Sequence, residues 1–191
     1  MDLKSVLDHD NITFDESFYK NVSRYKEHLH KWNKIHNLTG ARTDALIDKF
    51  IYDAVYPVSF LPSITRVMDI GTGAGFPGMI LAFALPQTHF TLVEPLQKRA
   101  SFLQFIKADL GLTNVTVKNC RVEELEPTPY DLVTSRAVTQ TDLLMKLSRP
   151  FLKKGSLLLF YKGERVFEEV DSSLDYQVIQ THNRHYLLIE S

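Results

Sequence analysis

A single cysteine, Cys120, is all the thiol this 191-residue chain carries. No disulfide can form within it, and such usage fits a reducing compartment. No apolar run approaches the ~20 residues of a spanning helix, and the amino-terminal residues are polar and acidic, without an apolar leader core. A soluble, cytoplasmic protein with no membrane partner is therefore expected. An excess of charge of either sign is missing as well: 22 Lys and Arg stand against 23 Asp and Glu, for a formal net charge of -1. Any surface for nucleic acid must then come from local segregation of charge. Internal repeats, low-complexity tracts and long linkers are absent. What remains is 44% hydrophobic and 24% charged, within the globular range, and long enough to bury a substantial core.

What is present is organised around Val67 to Gly78, VMDIGTGAGFPG. Val67 to Ile70 read as the end of a buried strand. Gly71, Gly73 and Gly75 then alternate, and Pro77 opens an apolar run, suited to a first helical turn because its missing N–H has no partner there anyway. Glycine reaches positive φ cheaply and lets a ligand lie on bare amides. The following helix start adds unpaired N–H groups and partial positive charge, so a polar or anionic end of a small ligand belongs over this turn. No Lys-Ser or Lys-Thr follows the glycines, which excludes a nucleoside-triphosphate loop.

Two cofactor classes stay open. Gly73, Gly75 and Gly78 spell GxGxxG, and Glu94 ends the next strand near the ~20-residue spacing of a ribose-binding acid, as a dinucleotide requires. Against this, the first glycine after the strand is Gly71, and Asp69 lies in an otherwise apolar strand end, where an ionised carboxylate needs a partner. The amino group and sulfonium of S-adenosylmethionine offer positive charge there. The amides of the glycine loop are the alternative partner, and the two readings are compatible.

Upstream, Thr13 and Glu16 have capping-box spacing, and Phe14, Phe18, Val22, Tyr25, Leu29 and Trp32 recur every three or four residues, predicting one long amphipathic helix. Its polar face carries Lys20, Arg24, Lys26, Lys31 and Lys34, with Arg42 beyond, against the single acid Glu27. Such a run is either a solvated face or a phosphate-binding one. NLTG, Asn37 to Gly40, breaks the helix, and a second runs from about Ala45 to Val55 until Pro57 stops it. From Arg66 strands are expected at Arg66 to Ile70, His89 to Glu94, Val115 to Asn119, Tyr130 to Ser135 and Ser156 to Lys162, alternating with helices. That alternation means a parallel sheet covered on both faces, with ligand at the carboxyl ends of its strands. A short helix near Val166 and a hairpin of Tyr176 to Thr181 and Arg184 to Glu190 close the chain, placing one antiparallel strand in the sheet.

The strand ends supply the candidate chemistry. Glu94 can accept both ribose hydroxyls. In CRVEE, Cys120 to Glu124, the amide of Val122 or Glu123 can reach an adenine edge. In TSRAV, Thr134 to Val138, the planar fork of Arg136 suits a carboxylate or a stacked base, a structural ion pair being the alternative. Lys162 ends the fifth strand on the same rim. No metal set is read: His182 and His185 lack further ligands, and His28 and His30 diverge on a helix. Cys120 and Ser135 have no base to activate them.

DIGTGAGFPG (Asp69 to Gly78), VEPLQKRASFL (Val93 to Leu103), RVEE (Arg121 to Glu124), YDLVTSRAV (Tyr130 to Val138) and WNKIHNLT (Trp32 to Thr39) together resemble the bacterial ribosomal RNA small-subunit methyltransferase G family, the glucose-inhibited division protein B family. The resemblance implies an α/β, Rossmann-like class I S-adenosylmethionine-dependent methyltransferase fold, with a mostly parallel seven-stranded sheet. Residues 1–60 are expected to form an N-terminal helical extension packed on a methyltransferase domain of residues 61–191, the whole a single compact unit. It also implies methyl transfer from S-adenosylmethionine to N7 of a guanine in 16S ribosomal RNA; naked RNA and a ribosomal particle both stay open as the substrate, and a monomer is expected. Cofactor contacts are expected at Asp69, Gly71, Gly73, Gly75, Phe76, Glu94, Val122, Glu123 and Arg136, with Arg136 and Lys162 as substrate-positioning residues. Lys26, Lys31, Lys34, His36, Asn37 and Arg42 are the expected RNA contacts. Pro95, where the family more often has a small residue, and the C-terminal hairpin depart from the pattern. A nicotinamide-dependent oxidoreductase and a non-catalytic RNA-binding ribosome-assembly factor are the rival readings.

Overall fold

The structure, a computed structural model, describes residues 2–136, 140–164, 166–169, 175–181 and 184–191. Ala137 and Val138 of the TSRAV segment, and His182, lie outside the described residues. Three helices come first, α1 (Leu3–His9), α2 (Glu16–His36) and α3 (Asp44–Val55). The alternating part follows as β1 (Arg66–Ile70), α4 (Gly78–Ala84), β2 (His89–Val93), α5 (Gln97–Asp109), β3 (Val115–Lys118), β4 (Leu132–Arg136), α6 (Thr141–Ser148), β5 (Leu157–Lys162), α7 (Val166–Glu169), β6 (Tyr176–Gln180) and β7 (His185–Glu190). Every expected strand forms, within a residue or two at its ends.

Local chemistry moves one boundary and adds a helix. Asp15 rather than Thr13 caps α2, its carboxylate accepting the Phe18 N–H at 3.1 Å, because a full negative charge at the positive helix end outcompetes a neutral hydroxyl. Helix α1 has no counterpart in the sequence reading. Asp2 caps it by accepting the Ser5 N–H at 2.9 Å, and its seven residues are too few to display a helical period. At the far end of α2, Asn37 takes φ 50°, the left-handed stop that asparagine tolerates. Asn33 then shapes the NLTG loop, donating to the Thr39 carbonyl at 3.0 Å and accepting the Thr39 N–H at 2.9 Å.

The seven strands lie in the order β3-β2-β1-β4-β5-β7-β6. The first five are parallel, β7 runs antiparallel to β5, and β6 pairs antiparallel with β7. Because side chains alternate along a strand, each strand feeds two cores. Val67, Leu92, Leu132, Leu159 and Tyr186 face α2 to α5, while Met68, Val93, Val133, Leu158 and Leu187 face the other layer. Asp69 shares the parity of Val67 and so points toward α4.

Buried phenols tie the N-terminal helices to the sheet. Tyr25 donates to the Ala74 carbonyl at 2.7 Å, Tyr161 to that of Ala54 at 2.8 Å and Tyr186 to that of Asp53 at 3.0 Å. Around Tyr25 the rings of Phe76, Phe83 and Phe102 lie 5.7, 6.0 and 5.8 Å away between centroids, in the tilted and edge-on arrangements aromatic pairs prefer.

Candidate active site

The crossover from β1 to α4 is a tight turn stitched to the end of β2. Gly71 and Thr72 donate their N–H groups to the Val93 carbonyl at 2.9 and 3.2 Å. Gly71, Gly73 and Gly75 hold φ of 68°, 61° and 109°, values that side chains oppose and glycine does not. Gly78 serves differently, for a Cβ there would lie 2.4 Å from Leu92 Cδ2 and 2.6 Å from Asp69 Oδ2. Pro77 occupies the cap, and Gly78 is the first helical residue. Its N–H donates to Asp69 Oδ2 at 2.8 Å.

Asp69 is wholly buried. Burial pushes its carboxyl up to about 7, Glu94 adds to the rise, and the Thr72 hydroxyl and Gly78 amide oppose it. The hydroxyl acts by proximity, since neither Asp69 Oδ1 nor Thr72 Oγ1 completes a hydrogen bond. Of the two partners open to Asp69 from its sequence, the structure supplies the loop amide. Glu94, just past β2, is 2% exposed and braces two loops at once, accepting the Gly73 N–H through Oε2 and the Leu96 N–H through Oε1, both at 2.9 Å.

Arg136 ends β4, with its side chain 9% exposed. Its guanidinium lies over the Phe50 ring, 3.8 Å from the centroid, and 5.9 Å from that of Phe76, a cation–π pairing of the desolvated kind. Burial and the neighbouring Arg184 lower its pKa to about 10, with Asp53 opposing, so it stays charged at neutral pH. Its Nη1 is buried without a hydrogen-bond partner.

These groups open on a cavity of about 480 Å³. Gly71, Gly73, Phe76, Glu94 and Arg136 line it, joined by Leu38, Thr39 and Gly40 of the NLTG loop, Phe50 of α3, and Pro95, Leu96 and Arg99. Arg99 fastens that loop by donating from Nε to the Leu38 carbonyl at 3.1 Å. Asp69 and Gly75 sit behind the turn, buried and off the wall. Val122, buried, and Glu123, exposed, open a short 3₁₀ turn after β3 and do not line the cavity. Lys162, buried at the end of β5, is likewise off its wall. A larger cleft, about 1220 Å³, runs between α1, α3 and the Gln180–Thr181 end of β6, and no glycine-turn residue borders it.

Sequence reading missed the cavity residues from α3 and from the Pro95–Arg99 segment. Phe50 belongs to an ordinary apolar stripe and carries no sign of its use. Asp53 had one: an acid within the Phe50–Ala54 stripe is the same anomaly as Asp69 in β1.

The cationic face of α2 is less free than its composition implied. Lys26 pairs with Asp48 at 2.7 Å, Lys31 with Glu27 at 2.6 Å, and Arg24 with Asp109 and Glu27, both at 3.0 Å. His30 meets Asp44 at 2.7 Å and His28 meets Asp109 at 2.9 Å. The neutralising acids Asp44, Asp48 and Asp109 come from α3 and α5, outside the stretch whose charge was counted. His36 packs against Trp32 at 5.4 Å, and Arg42 donates to Asn37 Oδ1 at 3.2 Å. Lys34 and Arg42 form no ion pair among the described residues.

Among solved structures, a putative O-methyltransferase from Klebsiella pneumoniae superposes with a TM-score of 0.65 at 16% identity, over 99% of this chain and 96% of that one. An rRNA methylase from Streptococcus thermophilus gives 0.54 at 15% identity, over 72% and 93%. The fold is that of a class I S-adenosylmethionine-dependent methyltransferase. In sequence, the profile of GidB, described as rRNA small subunit methyltransferase G, matches residues 19–189. Proteins named ribosomal RNA small subunit methyltransferase G are 45% identical in Wolinella succinogenes, over 97% of this chain and 96% of the relative, and 41% identical in Aliarcobacter butzleri, over 98% of each. The chain belongs to the rRNA small subunit methyltransferase G family.

Membership sets aside the dinucleotide reading of GxGxxG, and S-adenosylmethionine is the cofactor. The residues fit it: bare backbone at Gly71 and Gly73 on the cavity wall, held at positive φ, a buried acid just past β2, and the charged guanidinium of Arg136 lining the same cavity. No helix among the described residues is long and apolar enough to cross a membrane.

Proposed function

We propose that this protein methylates N7 of one guanine in small-subunit ribosomal RNA, acting as a monomer in the cytoplasm on the RNA or a ribosomal particle. The single observation carrying the reading is the cavity in which the glycine turn, Glu94 and Arg136 converge, in a chain of this family. Bound there, S-adenosylmethionine supplies a methyl group already activated by a positive sulfur. Guanine N7 offers a free lone pair and has no proton to lose, so the chain's task is orientation. Holding two reactants in line is worth up to roughly 7–11 kcal/mol.

In this reading Gly71 and Gly73 leave room for the cofactor against backbone, with Asp69 and Gly75 holding the turn in shape from behind. Phe76 walls the pocket, and Glu94 accepts ribose hydroxyls. The amide of Val122 or Glu123, outside the cavity wall in the turn after β3, serves an adenine that extends beyond the cavity, Arg136 takes an anionic oxygen, and Lys162, also off the wall, assists on the substrate side. A target base in folded RNA must be exposed or unstacked to be reached. The N-terminal extension, residues 1–60, provides the RNA-facing surface beside the domain of residues 61–191, with His36, Asn37, Lys34 and Arg42 as its more available contacts and Lys26 and Lys31 reaching RNA only by sharing their acids.

Incubation with labelled S-adenosylmethionine and small-subunit RNA from cells lacking the enzyme tests this directly. One methyl per RNA, mapping to a guanine cleavable by N7-specific chemistry, is the expected result. Cofactor binding without incorporation into either RNA or particle would instead indicate the non-catalytic assembly factor.

A further inference from the structure

Asp53 is a buried acid to which the proposed chemistry assigns no part. It lies on α3 with no exposed surface, and two arginines converge on its Oδ2. Arg184 donates from Nε at 3.1 Å and Nη2 at 2.8 Å, while Arg136 Nη2 stands 4.0 Å away. Its Oδ1 has no hydrogen-bond partner. Two positive charges against one negative leave a surplus positive charge where little water reaches, and an unpaired buried charge is costly.

The disposition of Arg136 indicates where that surplus is directed. A guanidinium carries five N–H donors in one plane. Here Phe50 covers a face of the plane at 3.8 Å, Nη2 turns toward Asp53, and Nη1 is buried and unbonded. Phe50 and Asp53 are three residues apart on α3 and so neighbours on one helix face. A single helix therefore sets both the tilt of the guanidinium and its rotation within its own plane. At 4.0 Å Asp53 is too far to hydrogen-bond Arg136, and Arg184 occupies the oxygen that would otherwise draw Arg136 in.

We propose that Asp53 is a positioning residue of the methyl-transfer site, its carboxylate held by Arg184 so that the Arg136 guanidinium keeps the orientation in which it lines the cavity and meets an anionic oxygen of a bound substrate. This rests on the methyltransferase reading of the cavity. The oxygen belongs either to the cofactor's carboxylate or to an RNA phosphate.

The test uses the full chain and the variants Asp53→Asn, Arg184→Gln, Arg184→Lys, Arg136→Gln and Asp53→Asn/Arg136→Gln. Methylation kinetics on small-subunit RNA, calorimetric binding of S-adenosylhomocysteine and melting temperatures are measured for each. Asp53→Asn is expected to lower kcat/KM about 10-fold in the wild-type background and less than roughly 2-fold once Arg136 is already Gln. A residue that merely supports the fold loses the same factor in both. Arg184→Gln should lose about 10-fold and Arg184→Lys should recover most of it. These Arg184 variants carry the test if Asp53→Asn does not melt cooperatively. Weaker S-adenosylhomocysteine binding at unchanged RNA KM would assign the oxygen to the cofactor, and the reverse to RNA, and either supports the proposal. Equal losses in both backgrounds, or a fully active Arg184→Gln protein, would overturn it. A wild-type protein that binds no S-adenosylhomocysteine and methylates nothing would overturn the underlying reading as well.

Discussion

At the scale of single residues, the glycine turn couples conformation to charge. Gly78→Ala forces a methyl group against Leu92 and Asp69, an overpacking expected to cost about 1–3 kcal/mol, seen as a lower urea midpoint, and to weaken S-adenosylhomocysteine binding in calorimetry. Asp69 makes a pH prediction of unusual sign. Its folded pKa is raised to about 7 from the ordinary carboxyl value of 3.8, so between those values the folded state binds more protons than the unfolded. Stability contributed by the protonated acid is then lost as pH rises from about 4 to 7, by at most ~1.4 kcal/mol per pH unit. Asp69→Asn, keeping an oxygen for the Gly78 N–H, should lack this slope. The stability of the variant relative to wild type should therefore increase from pH 5 to pH 8 in urea titrations, and a constant difference would refute the assignment. The sequence displayed both residues by their incongruity, a glycine in an apolar run and an acid in a strand. It did not display Phe50, whose pairing with Arg136 uses a side chain that any core helix would carry.

At the scale of elements, α2 acts as a backing plate for the β1–α4 turn. The Tyr25 hydroxyl meets the Ala74 carbonyl in a fully buried contact, and its ring packs on Phe76, which lines the cavity. Removing the hydroxyl leaves that carbonyl unsatisfied away from water, at a cost of about 1–3 kcal/mol. Tyr25→Phe should thus melt several degrees lower and bind S-adenosylhomocysteine more weakly. A lower melting temperature with unchanged binding would mean that the turn holds its shape without α2. The helical period of α2 and the strand pattern of β1 were both readable from sequence. Their contact through a phenol and a loop carbonyl was not, because a tyrosine at a core position looks the same whether or not its hydroxyl finds a partner. The caps shifted for a related reason, since several adjacent polar residues can each start a helix and only the folded ends select among them.

Across the whole molecule, the question is how a chain of net charge -1 approaches an RNA backbone. Since Lys26 and Lys31 spend their charge on Asp48 and Glu27, the double change Lys34→Glu/Arg42→Glu should act most on RNA. The expected outcome is a several-fold higher RNA KM and a salt dependence shallower by roughly one to two units of slope, with S-adenosylhomocysteine affinity unchanged. Altering Lys26 instead should register mainly as lost stability, because its side chain is only 20% exposed and its amino group is bound to a half-buried acid. An unaltered salt slope in the double variant would move the RNA surface away from the NLTG loop. The alternating strands, the glycine turn and the acid after β2 were fixed by local pattern, because periodicity and glycine's missing side chain act within a few residues and leave their mark in the sequence. Which face of α2 retains charge, which residues of α3 reach Arg136, and how the NLTG loop comes to wall the cavity were settled only by folding. Most of those properties depend on partners far apart in the chain, from 14 positions for His30–Asp44 to 61 for Leu38–Arg99 and 85 for Arg24–Asp109, and no local pattern records a distant neighbour.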